Sequence, residues 1–168
     1  MATSYYRNVT LKRTAIALAI TLLAGCDRGQ HPSNINTPAP DFTIADGSQT
    51  AQLSQFRGHT VILNFWATWC PPCLEELPSL LALQRSMPQV TVLAISLDED
   101  EPTYRRFLAD HHVDLLTIRD PHQRVNALYG TFRYPESYVI DRNGVLRRKF
   151  IGPQNWTSAE ITSYLAKL

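Results

Sequence analysis

One stretch limits this chain more than any other. T-V-I-L-N-F-W-A, Thr60 to Ala67, is a nearly unbroken apolar run of strand length, and four residues further on come two prolines together, Pro71 and Pro72. A strand without polar alternation has to be buried on both faces, which is the habit of a parallel sheet with helices on either side. Adjacent prolines cannot carry a strand on, but they suit the first turn of a helix, where a missing N–H costs least. The stretch therefore predicts a buried strand that feeds a helix. The residues flanking the prolines at that junction are cysteines, Cys70 and Cys73.

The alternation of element types continues along the chain. V-T-V-L-A-I-S-L (Val90–Leu97) reads as a second buried strand, and Asp41–Ala45 as a short one ending in a turn at Asp46-Gly47. Helices are expected over Pro102–His112 and Gln123–Tyr129, with a short strand near Leu115–Ile118 between them. Glu136–Asp141 and Val145–Gly152 make a hairpin around Asn143-Gly144, a pair suited to tight turns. Thr157 or Ser158 then caps a closing helix that runs to Leu168. In the helix after the cysteines, Leu74, Leu77, Leu80, Leu81 and Leu83 mark the buried side, and Pro78 is expected to kink it. At 168 residues this is one α/β domain, a sandwich with a mixed central sheet flanked by helices.

The first residues read differently. Residues 1–25 hold three basic groups (Arg7, Lys12, Arg13) and no acid, and the apolar run Thr14–Leu23 is too short for a spanning helix of roughly 20 residues. That is the pattern of a signal peptide. L-A-G-C, Leu23 to Cys26, resembles a bacterial lipobox, in which Cys26 is diacylated and becomes the new N-terminus; the plainer reading is an ordinary signal with Cys26 incidental. Two acyl chains are a sufficient membrane anchor, so the lipoprotein reading puts the protein on the outer, periplasmic face of the bacterial cytoplasmic membrane, with Asp27 resembling a retention signal there. Residues 26–40, rich in Pro, Asn and Gly, read as a linker, and 41–168 as the folded domain. Without the first 25 residues, 13 basic groups face 15 acidic ones, a net −2 that gives no footprint for nucleic acid. Nothing in the sequence demands more than a monomer.

With Cys26 taken by lipid, only Cys70 and Cys73 remain among three cysteines. A four-ligand zinc site needs two further ligands, and the local candidate, His111-His112, reads as a solvated helix end; no metal is expected. Asp98–Glu101 reads likewise as a solvated cap at a helix N-terminus. A structural disulfide across two residues closes too small a loop to gain much entropy. Redox chemistry is left. At a helix N-terminus the Cys70 sulfur meets the positive end of the macrodipole and unpaired N–H groups, both of which favour the nucleophilic thiolate. Cys73, one turn on, is placed to resolve a mixed disulfide. No separate cofactor is needed, since the dithiol itself carries the electrons.

W-C-P-P-C (Trp69–Cys73) after an apolar strand, with a lone Tyr134-Pro135 before a late one, resembles the thioredoxin superfamily. Together with A-P-D-F (Ala39–Phe42), L-S-Q-F-R-G (Leu53–Gly58) and Y-P-E-S-Y-V-I-D-R-N-G (Tyr134–Gly144), the chain is similar to the TlpA/ResA-type membrane-tethered oxidoreductases of bacteria, a group that includes the reductases of cytochrome c maturation. The resemblance implies a thioredoxin-like fold and a cis peptide before Pro135. It also implies a substrate-binding rim of Trp69, Pro71, Pro72, Tyr134 and Pro135, with the Tyr134 backbone offered to a client strand. Glu76 matches the acid of the C-x-x-C-x-x-E pattern, where it shuttles protons or raises a cysteine pKa; a solvent-facing helix acid, like Glu75 beside it, is the alternative. Trp66 is expected in the core. Arg133 and Tyr134 depart from the family, which often carries Gly and a small residue there. Arg147–Lys149 reads as charge protecting an edge strand.

The dipeptide between the cysteines bears on direction. Pro71 and Pro72 bring neither charge nor N–H to the thiolate, so the disulfide is comparatively stable and the dithiol a good electron donor. The expectation is a reductase of client-protein disulfides, with apocytochrome c or copper-site proteins among the candidates, refilled by an integral-membrane donor. The alternatives are a thiol peroxidase, from the likeness of A-P-D-F and L-S-Q-F-R-G to peroxiredoxins, and a non-redox copper-binding or chaperone protein.

Overall fold

The computed structural model describes residues 35–168; the expected signal peptide, Cys26, Asp27 and most of the expected linker lie outside the described residues. Five strands form the central sheet, in the order β5-β4-β3-β6-β7. Thr60–Trp66 (β3), Val90–Ser96 (β4) and Leu116–Arg119 (β5) run parallel, while Glu136–Ile140 (β6) pairs antiparallel with β3 and Leu146–Ile151 (β7) antiparallel with β6. Every residue of β3 is buried, as a run without polar alternation requires. This is the thioredoxin-like α/β fold with a mixed sheet.

Two layers cover the sheet. On one face, Pro71–Ser86 (α1) and Ala159–Leu165 (α4) pack Leu80, Leu83, Ile161 and Leu165 onto Ile62, Val92 and Val139. Glu101–Asp110 (α2) adds Tyr104 beside Trp66, Cys70 and Cys73. On the other face, Phe42 and Ile44 join Val125 and Tyr129 of Arg124–Tyr129 (α3) over Val61, Leu63, Phe65 and Tyr138. Phe65 and Ile62 point to opposite layers because side chains alternate along a strand. Ser158 caps α4 by accepting from the Ile161 N–H, and Gly144 takes the positive φ of 73° that the β6–β7 turn requires.

Several expectations need correcting. Asp41–Ala45 is half of a small hairpin: Thr43–Asp46 (β1) pairs antiparallel with Gln49–Gln52 (β2), which the polar sequence Q-T-A-Q does not announce. Arg119 grips that hairpin, donating to both Asp46 oxygens at 2.8 Å. The fold also begins before Asp41. The Asn36 N–H donates to Leu146 O at 2.7 Å, the Leu146 N–H to Thr37 O at 2.9 Å, and Ala39 N–H to Gly144 O at 2.9 Å. The end of the expected linker is thus stitched to the β6–β7 hairpin, because its backbone groups find a free edge to pair with. Leu74 and Leu81, expected on the buried side of α1, are only partly buried, and Pro78 lies exposed within the helix.

Candidate functional site

The chain leaves β3 at Trp66, crosses Ala67-Thr68-Trp69 and enters α1 with Cys70 as its N-cap and Pro71 and Pro72 in the first turn. Cys70 and Cys73 are joined as a disulfide, with Cα atoms 5.3 Å apart, so this is the oxidised protein. The two residues are 5 % and 3 % exposed, an ordering that leaves Cys70 only slightly the more accessible. Access is shaped instead by Trp69, which is 62 % exposed and meets the Tyr134 ring edge-on at 6.4 Å. Trp66 is buried, its indole N–H donating to Thr117 Oγ1 at 3.3 Å.

One expectation about the thiolate changes here. The first turn of α1 has no spare backbone donors: Pro71 and Pro72 have none, and the Cys73 N–H is spent on the Cys70 carbonyl at 3.0 Å. The helix dipole is left as the first turn's contribution to Cys70.

Tyr134 and Pro135 lie across from the cysteines and are joined by a cis peptide bond. The Tyr134 ring packs against the cluster that holds Cys70 and Cys73, and its hydroxyl donates to Asn126 Oδ1 at 3.1 Å. Among the described residues the Tyr134 backbone N–H and C=O have no hydrogen-bond partner, although the Pro135 carbonyl beyond them accepts from the Gly152 N–H at 2.9 Å. An unpaired peptide group beside a reactive sulfur is what an incoming extended strand can pair with. The charged departure, Arg133, lies exposed with its guanidinium 5.4 Å from the Phe132 ring centroid.

Glu76 and Glu75 part company completely. Glu75 faces solvent, whereas Glu76, on the side of α1 that carries Cys73, is 2 % exposed. Its Oε1 accepts a hydrogen bond from the indole of the fully buried Trp156, and its Oε2 has no hydrogen-bond partner. Burial pushes its pKa up to about 7, with the Trp156 hydrogen bond pulling the other way. A buried carboxyl that titrates near neutrality can take or give a proton at working pH.

Sequence reading missed three groups nearby. Asp98 is not part of a solvated run but is buried, accepting from the Thr68 N–H at 3.0 Å, the Thr68 hydroxyl at 2.5 Å and the Ser96 hydroxyl at 2.6 Å. It holds the loop that delivers Trp69 and Cys70, while Asp100 alone caps α2 through the Thr103 N–H. Asp98 and Trp69 share the wall of an open pocket of about 390 Å³. Trp156 comes from a loop 80 residues away from Glu76. Glu136, directly after Pro135, is fully buried and ion-paired with Lys149. The edge-strand charges therefore do more than face water: Lys149 meets Glu136, and Arg147 donates to Asp141 at 2.8 Å. A charge opening a buried strand is visible in the sequence at Glu136; its partner is not.

His111 stacks on Phe107 at the exposed end of α2, with ring centroids 3.9 Å apart. No three His, Cys, Asp or Glu side chains gather as a metal site among the described residues, and no described helix is long and apolar enough to cross a membrane.

Residues 34–168 match the Redoxin family. The chain is similar to the thiol-disulfide oxidoreductase ResA of Bacillus thuringiensis, at 28 % identity over 97 % of this chain and 95 % of that protein. Among solved structures it is similar to a putative thiol:disulfide interchange protein DsbE from Chlorobium tepidum, with a TM-score of 0.71 and 29 % identity, covering 77 % of this chain and 94 % of that one. It is also similar to the exposed lipoprotein thioredoxin of Streptococcus pneumoniae, with a TM-score of 0.66 and 26 % identity, covering 77 % of this chain and all of that one.

Proposed function

The chain belongs to the Redoxin family and is a thiol-disulfide oxidoreductase of the thioredoxin superfamily, and we propose that it works as a reductase of client-protein disulfides from a lipid anchor on the outer face of the cytoplasmic membrane. The observation that carries the direction is the first turn of α1. With two prolines and a committed Cys73 N–H, it offers a Cys70 thiolate only a dipole, so the dithiol holds its electrons less tightly than in a strong oxidant.

In the reduced protein the Cys70 thiolate attacks one sulfur of the client disulfide. A Cys70–client mixed disulfide forms, and the displaced client thiolate takes a proton from water. Cys73 then loses its proton, for which the ionised Glu76 carboxylate is the acceptor, and attacks Cys70 Sγ. The Cys70–Cys73 bond closes and the second client thiolate leaves and is protonated. Two electrons and two protons reach the client in all. The closed pair seen here is the product, which an integral-membrane donor has to reopen. The Tyr134 backbone, with Trp69, Pro71, Pro72 and Pro135 around it, is the docking rail for the client strand.

The anchor at Cys26 rests on the L-A-G-C sequence and the apolar run before it. The likeness to a lipoprotein thioredoxin accords with it. The peroxidase alternative rests on the likeness of A-P-D-F and L-S-Q-F-R-G to peroxiredoxins; Thr68, two residues before Cys70, donates its hydroxyl proton to Asp98.

The test is to trap the intermediate. A Cys73→Ala variant expressed with its own signal should accumulate mixed disulfides through Cys70 with extracytoplasmic proteins, and metabolic palmitate labelling should depend on Cys26. Mixed disulfides with cytoplasmic proteins, or label surviving Cys26→Ala, would count against the reading.

A further inference from the structure

The loop from Thr131 to Glu136 carries the Tyr134 backbone, yet two of its residues, Phe132 and Arg133, lie exposed. Packing and the Asn126 hydrogen bond hold the Tyr134 side chain, and the ends of the loop are held separately. Both of its ends converge on one atom, the Tyr138 hydroxyl oxygen. Thr131 Oγ1 lies 3.0 Å from it and Glu136 Oε1 2.5 Å, with the Tyr129 carbonyl at 2.9 Å. A phenol has one proton to give. The carboxylate is the charged and closer acceptor and takes it, the Tyr129 carbonyl has the weaker claim, and Thr131 donates into a lone pair of the phenol.

Every member of this arrangement is buried. Tyr138 and Glu136 are fully so, and Thr131 nearly so. Burial, reinforced by the hydrogen bond to Glu136, pushes the Tyr138 pKa up, which keeps the phenol a donor. From the far side Lys149 pairs with Glu136 and sits 5.2 Å from the Tyr138 ring centroid. Its ammonium fixes the carboxylate against β7. Glu136 stands opposite Phe65 in the β3–β6 ladder, on the face away from α1 and Glu76. The arrangement therefore reaches the site through the loop alone.

We propose that Tyr138 is a positioning residue: its hydroxyl ties Thr131 and Glu136, the two ends of the Tyr134-Pro135 loop, to one point and so holds the Tyr134 backbone where a client strand adds. The inference rests on the reading of Tyr134 as the docking rail. Its consequence is selective. A disulfide presented within a polypeptide uses the rail; one with no peptide groups does not. Losing the tie lets the free N–H and C=O of Tyr134 wander, and an unfixed pair of groups has to be ordered on each encounter.

The experiment compares two oxidants of the reduced full-length protein, insulin and hydroxyethyl disulfide, by the rate of thiol loss. Tyr138→Phe removes only the hydroxyl. It is expected to slow the reaction with insulin about tenfold, that being the factor for 1.4 kcal/mol, and to leave the reaction with hydroxyethyl disulfide and the Cys70–Cys73 potential unchanged. Thr131→Val cuts the same tie from its other end, so the double variant should be no slower with insulin than the slower single one. Equal slowing with both oxidants in a folded variant, additive effects in the double variant, or no change with insulin would each overturn the proposal. If the unaltered protein reduces hydroxyethyl disulfide but not insulin, the rail itself is misread, which is a separate failure and removes the proposal's basis.

Discussion

Two buried glutamates, one on each side of the central sheet, have the same side chain, nearly the same burial and one carboxylate oxygen each without a hydrogen-bond partner, yet opposite surroundings. Glu136 faces a cation, Lys149, and a phenol, Tyr138. Glu76 faces a neutral indole. A carboxyl group gripped by a cation and a phenol is held in place, useful as a strut. A carboxylate offered only a neutral donor keeps its burial penalty, and its proton is free to move near neutral pH. In the proposed mechanism the two faces then do different work: the β6–β7 side would hold the loop that receives a client, and the α1 side would handle the proton that leaves Cys73.

The sharpest break between them is electrostatic. Lys149→Met strands the Glu136 charge and should cost about 3–5 kcal/mol in urea unfolding; a loss under about 1 kcal/mol would mean that Glu136 and Glu76 are the same kind of group after all. The next effect has a pH signature. Because the folded pKa of Glu76, about 7, lies above its ordinary 4.5, the folded state binds the extra proton, and this group's contribution to stability falls as pH rises from 4.5 through 7. Glu76→Gln should therefore gain stability over the unaltered protein, on the order of 3 kcal/mol above pH 7, and the gain should disappear below pH 4.5. A gain that does not vary with pH would place the proton elsewhere.

Trp156→Phe removes the side-chain donor to Glu76 and should cost about 1–3 kcal/mol, with the Glu76 titration, followed by carboxyl resonance shifts, moving further upward. Smallest is Glu160→Gln, which deletes the exposed pair with Arg148 at 3.3 Å on the same strand as Lys149; it should cost about 0.5 kcal/mol or less. Unfolding curves of the two β7-linked variants side by side separate a buried pair from an exposed one.

How much of this was legible in the sequence follows from the range of each interaction. The unbroken run Thr60–Ala67, the prolines and the flanking cysteines are local signals, and they placed β3, α1 and Cys70–Cys73 where the structure has them. Asn143-Gly144 and Ser158 are equally local. Gln49–Gln52 was invisible because its one buried residue, Ala51, carries too little apolar signal, and it is a strand through pairing with β1. Asp98 was misread because a run of four acids looks solvated, while the Thr68 groups that bury the first of them lie 30 residues earlier. Glu76 was recognised by its pattern, but the pattern is silent on Trp156. Lys149 sat in a run of cations that described an edge, and only the register of β6 against β7 turns one of them inward to Glu136.

If the protein gives electrons to client disulfides, the reduction potential of Cys70–Cys73 has to show it. The measurement is an equilibrium titration of the full-length protein against glutathione at pH 7, read by thiol alkylation. A potential well below about −200 mV, towards thioredoxin's roughly −270 mV, is the predicted result. A potential near about −120 mV would contradict it, making the protein an oxidant whose Pro71-Pro72 turn stabilises the thiolate by a route other than the one described.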